Sequence, residues 1–332
     1  MSKLNILFGV NGMGLGHLTH AFCLYPTLKK NHNVDVLVSG LKQKNPFSFP
    51  IKKNLRGVSF VYKNGGVSWI DTLKQSHNFQ LLKDIANLDL SPYDLILSDF
   101  EPITAWAAKL KKKPCINISH QASMLSPYCP IPKWKSRHTW LNLMKLMSPC
   151  KHKIGLHFKC YDDFIMGPLI KENLKTKKTS DEGHILVYLS AFSLKEQKLF
   201  FKSLPKKTFH IFHNQCEKEH QEDNLICHPI HNEKFQEKML SCHAFISQAG
   251  FDSIAEVLFL KKPVLVIPIK NQFEQYCNAA ALQEIGVVVL NDLDHSKIKE
   301  WIQNPSPSPK IPIADPEIIN QRIIEIFNET HN

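Results

Sequence analysis

The sequence predicts an α/β protein made of two doubly wound parallel-sheet domains. Three observations carry that expectation. Short apolar runs alternate with amphipathic helical stretches along nearly the whole chain, the pattern of a parallel sheet covered on both faces. The rhythm pauses once, at Gly167-Pro168 and the polar run 171–183, and then restarts. A length of 332 residues suits two domains of ordinary size. The expected division is an N-terminal domain at 1–166, a linker at 167–183 and a C-terminal domain at 184–332.

In the first domain, strands are expected at 5–10, 34–38, 58–62, 95–98, 115–119 and 153–158, with helices at 18–30 and 103–111. In the second, strand 184–189, helix 194–204, strands 209–213 and 225–227, helix 232–240, strand 244–247, helix 251–260, strand 264–268, helix 273–285 and strand 287–290 follow in order. Pro305, Pro307, Pro309, Pro312 and Pro316 stiffen an extended strap. A terminal helix at 317–329 carries Ile319, Ile323, Ile326 and Phe327 on one stripe and is expected to pack back on the N-terminal domain.

Composition narrows the function. The chain is 43% hydrophobic and 21% charged, ordinary for a soluble globular protein. No stretch approaches the roughly 20 apolar residues of a membrane span, and residues 4–10 read as a buried first strand rather than a leader. Nine cysteines without a CxxC suit thiols in a reducing compartment, so the expected location is cytoplasmic. Residues 1–166 hold 22 basic and 9 acidic side chains, a net +13, whereas 167–332 hold 19 and 21, a net −2. Only Arg56, Arg137 and Arg322 are arginine among 41 basic residues, which argues against a nucleic-acid reader. A diffuse lysine field fits either an anionic substrate or a peripheral contact with an anionic membrane surface. The segment 133–147, with Trp134, Trp140 and several apolar residues, is the candidate for that contact, or else packs into the core.

Strand one runs into GMGLGHLTHA, residues 12–21. Gly12, Gly14 and Gly16 permit a tight turn and close approach of a ligand to a helix start. The dinucleotide fingerprint is not matched: His17 stands where its last glycine belongs, and strand two ends in Ser39-Gly40 rather than an acid. His17 is placed over the strand ends, where a neutral imidazole can take a proton from an alcohol. Asp99 and Glu101, in LILSDFEP, lie past the strand at 95–98, on the same edge. Asp99 can orient the histidine; Glu101 is either an acceptor contact or a first-turn acid. His120 and Gln121, in ISHQASML, share that rim as acceptor candidates or ordinary loop residues.

The sharpest segment is HAFISQAGFDSIAEVLFLKKPVLVIPIKNQFEQYCNAAALQEIGV, residues 243–287. Gly250 and Ser253 offer amides and a hydroxyl at a helix start, which suits phosphate. Glu256 lies three residues on, on the same face, where a carboxylate can accept ribose hydroxyls. Gln272, Glu274 and Gln275 place amides and an acid at the next strand end, as a sugar needs. This segment resembles the donor-binding region of nucleotide-sugar glycosyltransferases of the GT-B fold, among them the UDP-glycosyltransferases and the lipid-linked N-acetylglucosamine transferase of cell-wall synthesis. GMGLGH is similar to the same enzymes' glycine loop.

The resemblance implies two Rossmann-like domains facing a cleft, with the diphosphate on Ser190, Gly250 and Ser253, ribose on Glu256, sugar on Glu274 and Gln275, and His17 as base with Asp99 as its partner. It implies transfer of a hexose or N-acetylhexosamine from a nucleotide-sugar, UDP-linked, to an acceptor hydroxyl, with inversion. The acceptor would be a lipid-linked or cell-envelope glycan or a small molecule. The chain departs from the family at Gln248-Ala249-Gly250, where paired glycines are common, and at His20, where arginine is common. Two rivals remain open: a nucleotide-sugar epimerase or hydrolase on the same fold, and a non-catalytic nucleotide-sugar-binding protein. No cofactor and no metal are expected. Asp292-Leu-Asp294 has metal–diphosphate spacing, but Asp294 reads as a helix N-cap. The run of Cys150, His152, His157 and Cys160 lacks zinc-finger spacing.

Overall fold

The computed structural model describes residues 3–40, 47–58, 62–63, 66–67, 78–132, 137–204 and 206–330. They divide into two units, residues 1–171 with 312–332, and residues 172–311.

Unit one opens on β1 (Asn5–Asn11), α1 (Leu15–Asn31), β2 (Asn33–Ser39) and β3 (Lys53–Leu55). A short hairpin, β4 (Tyr62–Lys63) with β5 (Gly66–Val67), and α2 (Asn78–Asn87) follow. Then come β6 (Leu95–Asp99), α3 (Pro102–Leu110), β7 (Cys115–Ser119), α4 (His120–Ser123), α5 (Arg137–Met147), β8 (His152–Leu156) and β9 (Ile165–Met166). The sheet order is β3-β2-β1-β6-β7-β8-β9, parallel throughout. β1 sits centrally and is buried from Ile6 to Asn11, which is why its sequence is a continuous apolar run rather than an alternation. Its neighbours β2 and β6 start in opposite halves of the sheet, so the strand order reverses at β1/β6. Ligands of open α/β sheets bind beside such a switch point, at the carboxyl ends of the strands.

Unit two contains α6 (Glu172–Lys175), β10 (Ile185–Tyr188), α7 (Leu194–Lys202), β11 (Phe209–Phe212), β12 (His220–Glu222) and β13 (Leu225–His228). It continues with α8 (Asn232–Ser241), β14 (Ala244–Ser247), α9 (Phe251–Phe259), β15 (Val264–Val266), α10 (Phe273–Glu284), β16 (Val288–Val289) and α11 (His295–Gln303). Its order, β12-β13-β11-β10-β14-β15-β16, repeats the plan of unit one with β12 as an antiparallel edge. The switch point lies between β10 and β14. Inward residues such as Ile185, Val187, Phe209, Ile211, Ile246 and Leu265 form one core with Trp301 of α11.

The proline strap leads back to unit one and to α12 (Pro316–Glu329). The Ala314 amide donates to the Pro168 carbonyl at 3.0 Å. Gly167 is required there, because a Cβ would strike the Pro312 carbonyl. Ile319, Ile323 and Ile326 of α12 are buried, and Asn320 Oδ1 meets His32 Nε2 at 3.0 Å.

Several expectations need adjustment. The strand expected at 58–62 falls partly on residues 59–61, outside those described, and only Tyr62–Lys63 is extended. Most of the basic cluster in 133–137 also lies outside them. In α5, Met144 and Met147 are buried in the core and Leu146 is exposed, so part of the candidate membrane stretch has a packing role. The expectation that all cysteines stay thiols is corrected at one pair: Cys115 and Cys150 form a disulfide, with Cα atoms 5.3 Å apart.

Candidate active site

The turn after β1 is built by three local devices. The Gly12 amide donates to the Ser39 carbonyl at 2.7 Å, tying the loop to β2. Gly14 adopts φ 153°, which a side chain disfavours. Asn11 accepts the Met13 amide at 2.9 Å and donates from Nδ2 to the Phe100 carbonyl at 3.1 Å. The loop is thereby fastened to the turn after β6, where Phe100 itself has φ 51°. A bulky residue at positive φ is costly and collects at functional sites. Here it stands between Asp99 and Glu101 and sends them to different duties.

Asp99 ends β6, opposite Val10 of β1, and is fully buried. His17 and His20 lie one helical turn apart on α1. Asp99 Oδ1 and His17 Nδ1 are 2.7 Å apart, and Oδ2 and His20 Nδ1 are 2.9 Å apart. Burial alone would raise the Asp99 pKa, but the two histidines outweigh it and hold the carboxyl below its ordinary value. With Asp99 ionised, each Nδ1 carries the proton and donates it. That leaves Nε2 of His17 as the basic nitrogen. The His17 ring lies parallel to Phe100, with centroids 6.1 Å apart, and its side chain keeps 14% exposure.

Among the described residues, these three are the one group of ligand-type side chains close enough to hold a metal. Ligands around a tetrahedral zinc stand roughly 3.4 Å apart, given metal–ligand distances near 2.1 Å. Contacts of 2.7 and 2.9 Å are instead those of hydrogen bonds.

Glu101, an acceptor candidate from sequence, has a structural duty instead. It is fully buried and caps α3, accepting from the amides of Ile103 at 2.8 Å and Thr104 at 2.7 Å. The hydroxyls of Thr104 and Ser39 add bonds at 2.6 and 2.7 Å. Burial pushes its carboxyl pKa up against these donors. Pro102 at the first helical position completes the start of the helix. His120 and Gln121 open α4 at the expected edge, but both are buried, and His120 Nδ1 donates to the Leu156 carbonyl at 2.8 Å.

In unit two, Ser190 follows β10 and is exposed; its hydroxyl donates to Gln248 Oε1 at 2.8 Å, across the β10/β14 switch point. Gln248 is 5% exposed, and its amide nitrogen has no hydrogen-bond partner among the described residues. Gly250 caps α9 without a side-chain hydrogen bond, and the space a Cβ would enter is open apart from the Ser253 hydroxyl at 3.9 Å. The first turn of α9 therefore presents amides and Ser253, although Asp252 adds an acid there. Glu256 lies one turn on and is 4% exposed.

Gln272 caps α10, and Glu274 is half-buried in its first turn. Gln275 pins two loops together: its Oε1 accepts from Ala249 at 3.1 Å and from Ile269 at 2.9 Å. Asn278 Nδ2 holds the Ala249 carbonyl at 2.9 Å. These bonds set the path into Gly250, so the carbonyl oxygen of Gln275 is committed to the loop rather than to a sugar. Asp292 pairs with Lys270, and Asp294 caps α11, accepting from the Lys297 amide at 3.1 Å. His20, Asn11, Gln248 and Asn278 were not singled out from sequence as site residues. Each acts through a partner distant in the chain; Asn11 and Gln248 stand beside a glycine turn, whereas His20 and Asn278 lie inside helices and carry no local signal of the role.

Solved structures share this architecture. The glycotransferase of kitacinnamycin aligns over 99% of this chain and 95% of its own, with TM-score 0.61 and 15% identity. Arabidopsis thaliana UGT89C1, complexed with UDP-L-rhamnose, aligns over 92% and 90%, with TM-score 0.58 and 13% identity. Phytolacca americana UGT2, complexed with UDP-2fluoro-glucose and pterostilbene, aligns over 91% and 90%, with TM-score 0.59 and 13% identity. No curated protein matches by sequence. At these identities the likeness establishes the fold, which is GT-B. The sequence itself matches the glycosyl transferase family 1 description over residues 4–305. The chain is a glycosyltransferase with the GT-B fold, and it belongs to glycosyl transferase family 1.

Proposed function

We propose that the enzyme moves a hexose or N-acetylhexosamine from a UDP-linked donor to an acceptor hydroxyl, with inversion and without a metal. The observation that carries this reading is the His17–Asp99 pair at the switch point of unit one, with Nε2 of His17 as the base. His17 takes the proton of the acceptor hydroxyl as its oxygen attacks the anomeric carbon. The bond from that carbon to the diphosphate oxygen breaks, and UDP departs with the electron pair. Asp99 balances the imidazolium formed. A single direct displacement inverts the anomeric centre. The amides of α9, the Ser253 hydroxyl and the Gln248 amide are the donors that would receive the diphosphate. Glu256 would hold the ribose. Neighbours complexed with UDP-L-rhamnose and UDP-2fluoro-glucose support UDP as the carrier. Metal-free transfer is supported by Asp292 and Asp294, whose carboxylates are engaged by Lys270 and the start of α11.

The acceptor is a small molecule or a glycan, lipid-linked if the basic first half works at an anionic membrane surface. No helix among the described residues is long and apolar enough to cross a membrane.

The test is to incubate the enzyme with UDP-glucose or UDP-N-acetylglucosamine, with and without a panel of phenolic, glycan and vesicle-borne lipid acceptors, in EDTA. UDP release that depends on an acceptor, together with a glycosylated product of inverted configuration, is expected. Glu256→Ala should weaken UDP binding by about 1–3 kcal/mol. UDP-sugar consumed equally without any acceptor would make the enzyme a hydrolase or epimerase. Binding without turnover across the panel would make it a binding protein.

A further inference from the structure

Asp99 holds two imidazoles, and they differ in access. The side chain of His20 is 3% exposed against 14% for His17, while the carboxylate between them is at 0%. The two rings stand perpendicular, with centroids 6.0 Å apart. They come from one face of α1 at a spacing of three residues, so the helix fixes their separation. Rotation about the terminal bond of an aspartate is soft. A carboxylate gripped at one oxygen can turn about that bond. One gripped at both, by donors on a single helix, cannot turn without losing a bond in a buried site where a lost bond is costly.

We propose that His20 is a positioning residue for the base. By donating from Nδ1 to Oδ2 of Asp99, it fixes the carboxylate so that Oδ1 holds His17 in the Nδ1–H tautomer, with the Nε2 lone pair presented to the acceptor. The inference rests on reading His17 as the base; it does not depend on the identity of donor or acceptor. His20 is too deeply buried to touch substrate, so its effect passes through Asp99. An arginine at this position would place a permanent charge on the same carboxylate. A histidine supplies one N–H and leaves the negative charge of Asp99 available to the imidazolium of His17.

The experiment uses the full chain with 15N-labelled histidine. Imidazole nitrogen shifts report the tautomer of His17 without donor or acceptor present, and steady-state kinetics report turnover. In His20→Phe, His17 should lose its single tautomer, and kcat should fall about 10-fold or more while the donor KM changes less than about two-fold. In His20→Asn, the amide can stand where Nδ1 stands, and both readouts should return to within about three-fold of the parent. An unchanged tautomer and rate in His20→Phe overturns the proposal. So does a His20→Asn variant no better than His20→Phe. Should His20→Phe fail to fold, His20→Asn decides alone, because a folded variant with mixed His17 tautomers also overturns it. A protein that shows the tautomer change but transfers no sugar counts against the proposed function and leaves this inference standing.

Discussion

Two acids separated by one residue illustrate how finely placement decides role. Asp99 and Glu101 are both fully buried and both ionisable. Asp99 faces two histidine nitrogens, whereas Glu101 faces two amides and two hydroxyls. The positive φ of Phe100 between them turns one toward α1 and the other into α3. Replacing each in turn should separate the roles. Asp99→Asn places an NH2 group against a histidine Nδ1–H, forces a tautomer change, and should lower turnover by about 100-fold or more. Glu101→Ala removes a cap and leaves buried donors unpaired, so it should cost about 1–3 kcal/mol of stability in denaturant unfolding. Normal turnover in Asp99→Asn would remove the base assignment from His17. The His17–Asp99 pairing was legible in the sequence because both residues follow strands and so fall on one sheet edge. The distinction between Asp99 and Glu101 was not, because it depends on a backbone angle at Phe100 held by contacts that include Asn11, far off in the chain.

At the scale of elements, the parallel strands were legible because burial on both faces writes them as continuous apolar runs. β6, β7 and β14 are such cases. Two edge strands were not: β3 and β12 are largely exposed and carry Lys53, Glu222 and similar residues that give no apolar signal, whereas the apolar edge strand β16 was expected at 287–290. One feature of the unit-two sheet has a measurable consequence. His210 of β11 meets His228 of β13, Nδ1 to Nε2 at 2.8 Å, and His228 Nδ1 meets exposed Glu219 at 2.9 Å. His184, before β10, lies beside them, its ring 4.5 Å from that of His210. Burial holds all three below the ordinary histidine pKa, and His210 is pushed down to about 3. The unfolded chain takes up a proton near pH 6.5, and the folded chain does not until about pH 3. Stability is therefore full above pH 6.5 and falls as pH drops toward 3, by up to about 1.4 kcal/mol per pH unit for this one group. His210→Asn keeps a polar partner for His228 and cannot titrate. Its stability between pH 7 and 4.5 should fall less steeply than that of the parent in urea unfolding. Parallel slopes for the two proteins would show that His210 titrates normally in the fold.

At the scale of the whole molecule, the two units differ in how the chain builds them. Unit two is one continuous stretch, residues 172–311, with its own seven-stranded sheet and core. Unit one is closed by the two ends of the chain, because α12 packs beside α1 through Ile319, Ile323 and Ile326. The apolar stripe of the terminal helix and its return to the first domain were legible in the sequence; its partner helix α1 was not, since no local pattern names a contact some 290 residues away. A polar seam adds to the contact, with Asn320 on His32 and Glu317 near Lys30 and Asn31.

Fully burying three isoleucines contributes about 6 kcal/mol by area, and a whole domain is stable by only about 5–15 kcal/mol. A chain ending at Ile311 should therefore lose the tertiary structure of unit one while unit two, whose own sheet and core lie within 172–311, stays folded. Limited proteolysis should digest residues 1–171 and spare a fragment near 172–311, and UDP should still protect that fragment, because the proposed diphosphate contacts, the α9 amides, Gln248 and Ser253, all lie within it. Protease resistance across residues 1–171 in the truncated chain would instead show that unit one closes its core on the sheet alone, with α12 laid over an already stable surface.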